Sequence, residues 1–171
     1  AAGLAQIAAS GGQLGIAAKD LAFFTNVVAK MATAFDMSAE EAGDAMAKLA
    51  NVYQIPITEM TKLGDAINYL SDNTAAKAKD MVPALNRIGG TARQFGLTPI
   101  QASALAGSFI SIGKAPEKAG TAINAMLSKL QTAGKQGKKF QDALRQMGIS
   151  AKQLEKDIGQ DAQGALIKFL E

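Results

Sequence analysis

The sequence contains no cysteine and no histidine. The first absence removes disulfides, thiolate nucleophiles and cysteine zinc sites, and it leaves the redox compartment unread. The second removes Ser-His-Asp triads, HExxH zinc proteases and most transition-metal sites. Tryptophan is also missing, and aromatic residues make up only 5% of a chain that is 48% hydrophobic. Alanine and glycine therefore supply much of the apolar content. Such a core lets helix backbones approach closely but buries less area per residue than a Leu/Phe core, so modest stability is expected. Long hydrophobic runs are lacking too. LAFFTNVVA, residues 21–29, is about half a membrane span and is closed by Lys30, so neither a transmembrane helix nor a signal peptide is expected. Charge of one sign is scarce: 18 basic against 15 acidic residues leave +3, too mild an excess to point to nucleic acid or an anionic membrane.

What is present is helical periodicity. No stretch alternates with period two long enough for a strand. Leu21, Phe24, Val28, Met31 and Phe35 form a stripe at spacings of 3 and 4. Further stripes follow at Met46/Leu49/Tyr53, Met60/Leu63/Ile67/Leu70, Met81/Leu85/Ile88, Ala102/Leu105/Phe109/Ile112, Ile123/Met126/Leu127/Leu130 and Phe140/Leu144/Met147. A weaker segment lies around Leu154 and Leu166–Leu170. Three helix starts share one signature: Ser38 before Glu41, Thr98 before Gln101 and Ser150 before Gln153. Each reads as a capping box, in which the hydroxyl takes the N3 amide and the N3 side chain reaches back to the cap. Pro99 sits at a first helical position, and Ile149 with Leu154 fits a hydrophobic staple. Gly89-Gly90, Gly96, Gly113 and Gly148 follow apolar stripes, as helix C-caps do. Pro83 is placed in a first turn, where its missing N–H costs little. The starts are separated by 60 and then 52 residues, too uneven for a regular repeat. The expectation is all-α: a single helical domain over 1–171, a compact bundle of six to nine short helices joined by Gly-capped corners.

Motif-like stretches were weighed as chemistry. Gly107 to Lys114 resembles a P-loop, but the glycines stand one residue too far apart and Ala115 occupies the hydroxyl position. Ser111 and Lys114 have Ser-x-x-Lys spacing and Ser71-Asp72-Asn73 follows a second acyl-enzyme motif, but in the wrong order and without Lys-Thr-Gly. Residues 107–120 read better as a helix–helix corner: Gly113 ends one helix, Pro116 opens the next, and Glu117 suits its first turn. The acids Glu40, Glu41, Asp44, Asp65, Asp80 and Glu117 fall at caps and exposed faces, and sequence pairs none of them across space. The basic stretch Lys129–Lys139 contains Gly-Lys-Gln-Gly, similar to a KH clamp loop, yet there is no sheet to carry one. A solvated helix connection is the more economical reading. No catalytic, metal or cofactor residue is assigned.

With its helices in order, the chain resembles the core region of phage tail tape measure proteins, phage-related minor tail proteins. The resemblance rests on LSDNTAA before a helix ending in RIGG, then FGLTP, then a helical pair ending in AGTAINAMLSKL, and then FQDALRQMGIS. It covers most of residues 12–150, and DAQGALIKFLE looks like a closing helix in an extension over 151–171. Pro83 departs from the pattern, which puts a kink or break in its helix. The resemblance implies a structural virion protein and no enzyme, with neither cofactor nor small-molecule substrate. It implies assembly in the host bacterial cytoplasm, residence in the phage tail lumen, a part in setting tail length, and a part in genome ejection. Implied partners are the tail tube protein, tail assembly chaperones, other tape measure copies and, on ejection, the host envelope. Phe24, Val28, Met31, Phe35, Leu105 and Phe109 are the stripe residues offered as partner contacts; plain core is the competing reading and the more economical one. Alternatives of other classes are a membrane-active or DNA-contacting helical module, suggested by the pI of 9.1, and a cell-wall hydrolase, which the missing His and Cys disfavour. The chain opens without Met and stops inside a helical pattern, so it reads as a piece of a longer protein. One continuous helix of 171 residues would measure about 257 Å. Repeated corners favour a chain folded back on itself, with a radius of gyration of roughly 15–16 Å.

Overall fold

The same four-residue corner occurs six times in this chain, and it organises the fold. The computed structural model describes residues 2–171. Its helices are α1 (Ala2–Gln13), α2 (Ala18–Ala34), α3 (Ala39–Tyr53), α4 (Met60–Asn73), α5 (Ala78–Phe95), α6 (Pro99–Ser111), α7 (Pro116–Gln131), α8 (Lys138–Gln146), α9 (Ala151–Gln160) and α10 (Ala162–Leu170). Short 3₁₀ turns lie at Ile57–Glu59 and Ala133–Lys135, and no strand occurs among the described residues.

At each corner one residue adopts positive φ: Gly15, Asp36, Gln54, Gly96, Gly113 and Gly148. The amide of the next residue then donates back to a carbonyl five residues earlier. These bonds run from Ile16 to Gly11 (2.9 Å), Met37 to Ala32 (3.0 Å), Ile55 to Ala50 (2.9 Å), Leu97 to Ala92 (2.9 Å), Lys114 to Phe109 (3.2 Å) and Ile149 to Leu144 (2.8 Å). That is the Schellman closure, which satisfies the carbonyls a helix leaves free at its end. The following residue is the N-cap of the next helical segment: Ala17, Ser38, Pro56, Thr98, Ala115 or Ser150. In five of the six corners the residue after the left-handed one is apolar and turns inward; the exception is Lys114, which is exposed. Glycine holds four of the six left-handed positions, since it meets no Cβ penalty there.

Three sequence expectations are corrected. The described residues contain ten α-helices rather than six to nine. The count rises because α1 buries one large side chain, Ile7, alongside Ser10 and Gly11, and so shows no apolar stripe. It also rises because the C-terminal segment divides at Asp161, whose carboxylate caps α10 by accepting from the Gly164 amide (2.9 Å). Gly89-Gly90 does not end a helix. α5 runs through it, and a Cβ on Gly89 would stand 2.9 Å from Val52 Cγ1, so this glycine lets α5 approach α3. Pro83 lies five residues past the start of α5, beyond the first turn, and the helix continues to Phe95. It is an exposed position, so the unpaired carbonyl one turn back faces the solvent side.

Packing centres on α5, which contacts α3, α6 and α7. Met81, Val82, Ala84, Leu85, Ile88 and Ala92 bury its sides to 0% exposure, and Gly120 brings α7 against the Arg87 stem. On one flank α1 lies on α2 and α3, where a Cβ on Gly43 would stand 3.1 Å from the Ile7 Cα. On the other, α9 packs on α7, the 133–135 turn and α10. Small residues, not bulk, set these helix distances. The accessible surface is 9162 Å². A tightly packed monomer of this mass would expose about 7,900 Å², so the helical array is somewhat open.

Candidate functional site

The stripe residues come first. Phe24, Val28, Met31, Phe35 and Leu105 are all buried, and Phe109 is half-buried against the core. In this fold they hold α2 and α6 in place, which is the core role the sequence offers as the competing reading. The most exposed large apolar side chains are others: Ile112 is 73% exposed, Tyr69 66% and Met147 57%. Ile112 and Met147 were assigned to apolar stripes by spacing. Both sit in corners, where the chain leaves the helix before the stripe reaches the core.

Two of the three capping boxes are complete. Ser38 Oγ accepts from the Glu41 amide (3.2 Å), while Glu41 Oε2 accepts from both the Ser38 amide (3.0 Å) and its hydroxyl (2.8 Å). These bonds stabilise the charged form and hold the Glu41 carboxyl below its ordinary range. Thr98 and Gln101 exchange the equivalent bonds at 3.2 and 2.9 Å. The third box is half-made. Ser150 Oγ accepts from the Gln153 amide (3.3 Å), but the Gln153 side chain turns forward and donates to Asp157 (2.6 Å). Residues 107–120 form the corner expected of them: α6 ends at Ser111, Gly113 has φ 86°, and Pro116 opens α7. Ser111 Oγ is buried without a hydrogen-bond partner, as are Tyr53 Oη and Asn124 Oδ1. Burial pushes the Tyr53 phenol well up, so it stays neutral.

Two open grooves gather charge. One, about 610 Å³, lies between the α2–α3 corner and the start of α5. It brings together Asp36, Glu41, Asp44 and Asp80 with Lys48 and Lys79, and Lys79 Nζ is 3.1 Å from Asp36 Oδ2. The larger, about 770 Å³, is walled by the 133–135 turn, α8 and α9, and is lined by Lys135, Gln141, Arg145, Lys152 and Glu155 among others. Its frame is polar. Glu155 Oε1 accepts from the Gly134 amide (2.8 Å), and Gln141 Nε2 donates to the Gly134 and Gln136 carbonyls (3.0 and 2.7 Å). Sequence reasoning treated this basic stretch as a solvated connection and missed the groove. Its walls meet only through tertiary packing of α9 on the 133–135 turn. Among the described residues, no cluster of His, Cys, Asp and Glu is arranged to hold a metal, and no helix is long and apolar enough to cross a membrane.

Comparison with known proteins gives two matches of different reach. The chain is 28% identical over 148 residues to a "Probable tape measure protein" of Halomonas phage phiHAP-1, covering 86% of this chain and 17% of that protein. The chain thus spans about a sixth of that relative's length. No solved structure matches. The family model described as phage-related minor tail protein matches residues 1–171 from end to end. The chain belongs to the family of phage-related minor tail proteins, structural components of the phage tail.

Proposed function

We propose that this chain is a folded helical segment of a tape measure protein, one that serves tail assembly and genome ejection as a packed body and not as extended ruler. The match to a probable tape measure protein along 86% of the chain supports the first half. The observation that carries the second is the sixfold corner. A segment that contributed 1.5 Å of tail per residue would have to run as continuous helix. Here Schellman closures and caps turn the chain back six times, and α5 is wrapped by α3, α4, α6 and α7. Unrolling it would expose Ile88, Leu85, Met81 and the rest of that buried set. On this reading the segment folds in the host cytoplasm and enters the tail lumen. There it works beside the tail tube protein, assembly chaperones and other copies, and on ejection it meets the host envelope. It requires no cofactor and turns over no substrate.

The experiment is electron microscopy of tails made with residues 12–150 deleted in frame from the parent gene. Tails of unchanged length that deliver DNA poorly are expected. Shortening by about 209 Å, the helical rise of the deleted residues, would show that the segment lies extended and counts as ruler.

A further inference from the structure

We propose that the groove between the 133–135 turn, α8 and α9 binds the phosphodiester backbone of DNA without reading its sequence. Charge is the first ground. Residues 129–156 hold seven lysines and arginines and two acids, a net +5, while the other 143 residues hold 11 cations and 13 acids, a net −2. The mild total of +3 therefore conceals one basic region, and the groove of about 770 Å³ lies inside it.

Placement is the second ground. Lys138 and Lys139 are the first two residues of α8, and Lys152 is the second of α9. Cations are disfavoured at helix starts, where the backbone dipole is positive. Elsewhere a cation in a helix's first turn has an acid beside it: Lys19 has Asp20 in α2, Lys79 has Asp80 in α5, Lys118 has Glu117 in α7, and Lys62 of α4 pairs with Glu59 at 2.7 Å. Neither α8 nor α9 has an acid in its first turn. Lys138 precedes Gln141 and Arg145, both on the groove wall, by three and seven residues, so it lies on the same side of α8, just outside the lining. Lys135, Arg145 and Lys152 gather like charge on one concave surface, with Lys138 and Lys139 beside it, and this fits an anionic ligand that relieves the repulsion.

The nearby acids offset part of this charge: Asp142 pairs with Arg145 at 3.2 Å, and Glu155 lines the groove while accepting from the Gly134 amide. Lys135, Lys138, Lys139 and Lys152 take part in no ion pair among the described residues. The shape selects the ligand class. A flat bilayer surface cannot enter a concave groove, whereas a chain of phosphates can. No aromatic ring lines the groove, so bases have nothing to stack on and contact stays with the backbone.

The test is fluorescence anisotropy of a labelled 20-base-pair duplex titrated with the 171-residue chain between 50 and 200 mM salt. Three phosphate contacts predict a loss of affinity of roughly 40-fold over that range, with a second duplex of unrelated sequence binding within about twofold. The variant Lys135→Gln/Arg145→Gln/Lys152→Gln flattens the salt dependence. Lys19→Gln/Lys48→Gln/Lys62→Gln removes the same charge elsewhere and leaves binding within about twofold. Should the groove variant lose its helical circular dichroism, Lys138→Gln/Lys139→Gln, at exposed positions, must weaken binding in its place. Equal weakening by the groove and distant variants would overturn the proposal. So would binding that ignores salt, or phosphatidylglycerol vesicles that displace the duplex. The groove's charge is independent of the tail-length question, so failure here leaves the deletion experiment untouched.

Discussion

Two corners of this molecule have the same pattern of residue types, apolar-Gly-apolar-hydroxyl, and different surroundings. Phe95-Gly96-Leu97-Thr98 joins α5 to α6, and Met147-Gly148-Ile149-Ser150 joins α8 to α9. Both place glycine at positive φ and close with the same backbone bond, 2.9 Å at Leu97 and 2.8 Å at Ile149. There the likeness ends. Phe95 and Leu97 are 2% and 4% exposed, and Thr98 completes its box with Gln101. Met147 is 57% exposed, Ile149 is half-buried, and Ser150 is left with half a box. A local motif makes a corner wherever it occurs. How much the corner contributes depends on what packs over it, and the less covered one borders the basic groove.

The comparison can be broken most sharply at the residue before the glycine. Phe95→Ala should cost about 3–5 kcal/mol in urea unfolding, while Met147→Ala should stay within about 0.5 kcal/mol. Equal losses would mean that the α8–α9 corner is covered in solution. At the glycines the difference narrows. Gly148→Ala should cost about 1 kcal/mol, the left-handed penalty less the entropy gained from a stiffer unfolded chain. Gly96→Ala should cost more, because its Cβ would stand 3.1 Å from Ala162 Cβ. A larger loss at Gly148 would reverse the ranking. At the caps, Thr98→Ala should lower stability by about 1 kcal/mol and Ser150→Ala by about half that, measured by thermal unfolding. The smallest effect is in pH. Glu41 titrates below the ordinary glutamate value of 4.5 because Ser38 hydrogen-bonds its charged form. A carboxyl lowered in the folded state adds stability above its unfolded pKa and loses it as pH falls through the folded one. The stability gap between the parent and Glu41→Gln should therefore be open at neutral pH and close in acid. A gap that widens in acid would refute the assignment.

Some of this was legible before any coordinates. Period-3.6 stripes made the chain helical, and the Ser/Thr-x-x-Glu/Gln starts located α3, α6 and α9 to the residue. Gly96, Gly113 and Gly148 sit where spacing put helix ends, with the left-handed φ such ends need. At Asp36, φ 55°, the corner was marked by the Ser38 cap and not by a glycine, while Gln54, φ 53°, is a residue type that gives no sign of the left-handed position, so the end of α3 was hidden. α1 was missed because contact through Gly43 and the Ile7 backbone leaves no apolar stripe to count. Gly89-Gly90 was misread because a glycine that ends a helix and one that admits a neighbour look alike in sequence.

The sequence by itself determined the helical period, the corner chemistry and the exclusion of cysteine- and histidine-based catalysis. These depend on residue type and on neighbours within five positions, which the chain carries wherever it goes. Only the tertiary structure decided that the Phe24–Phe35 stripe is buried in the core. It alone decided that α5 sits at the centre, and that Lys135, Arg145 and Lys152, from the 133–135 turn, α8 and α9, line one groove. Those outcomes depend on which helices meet, and that is set by the fit of distant surfaces, such as Gly89 against Val52 or Gly120 against Arg87, which no local pattern records.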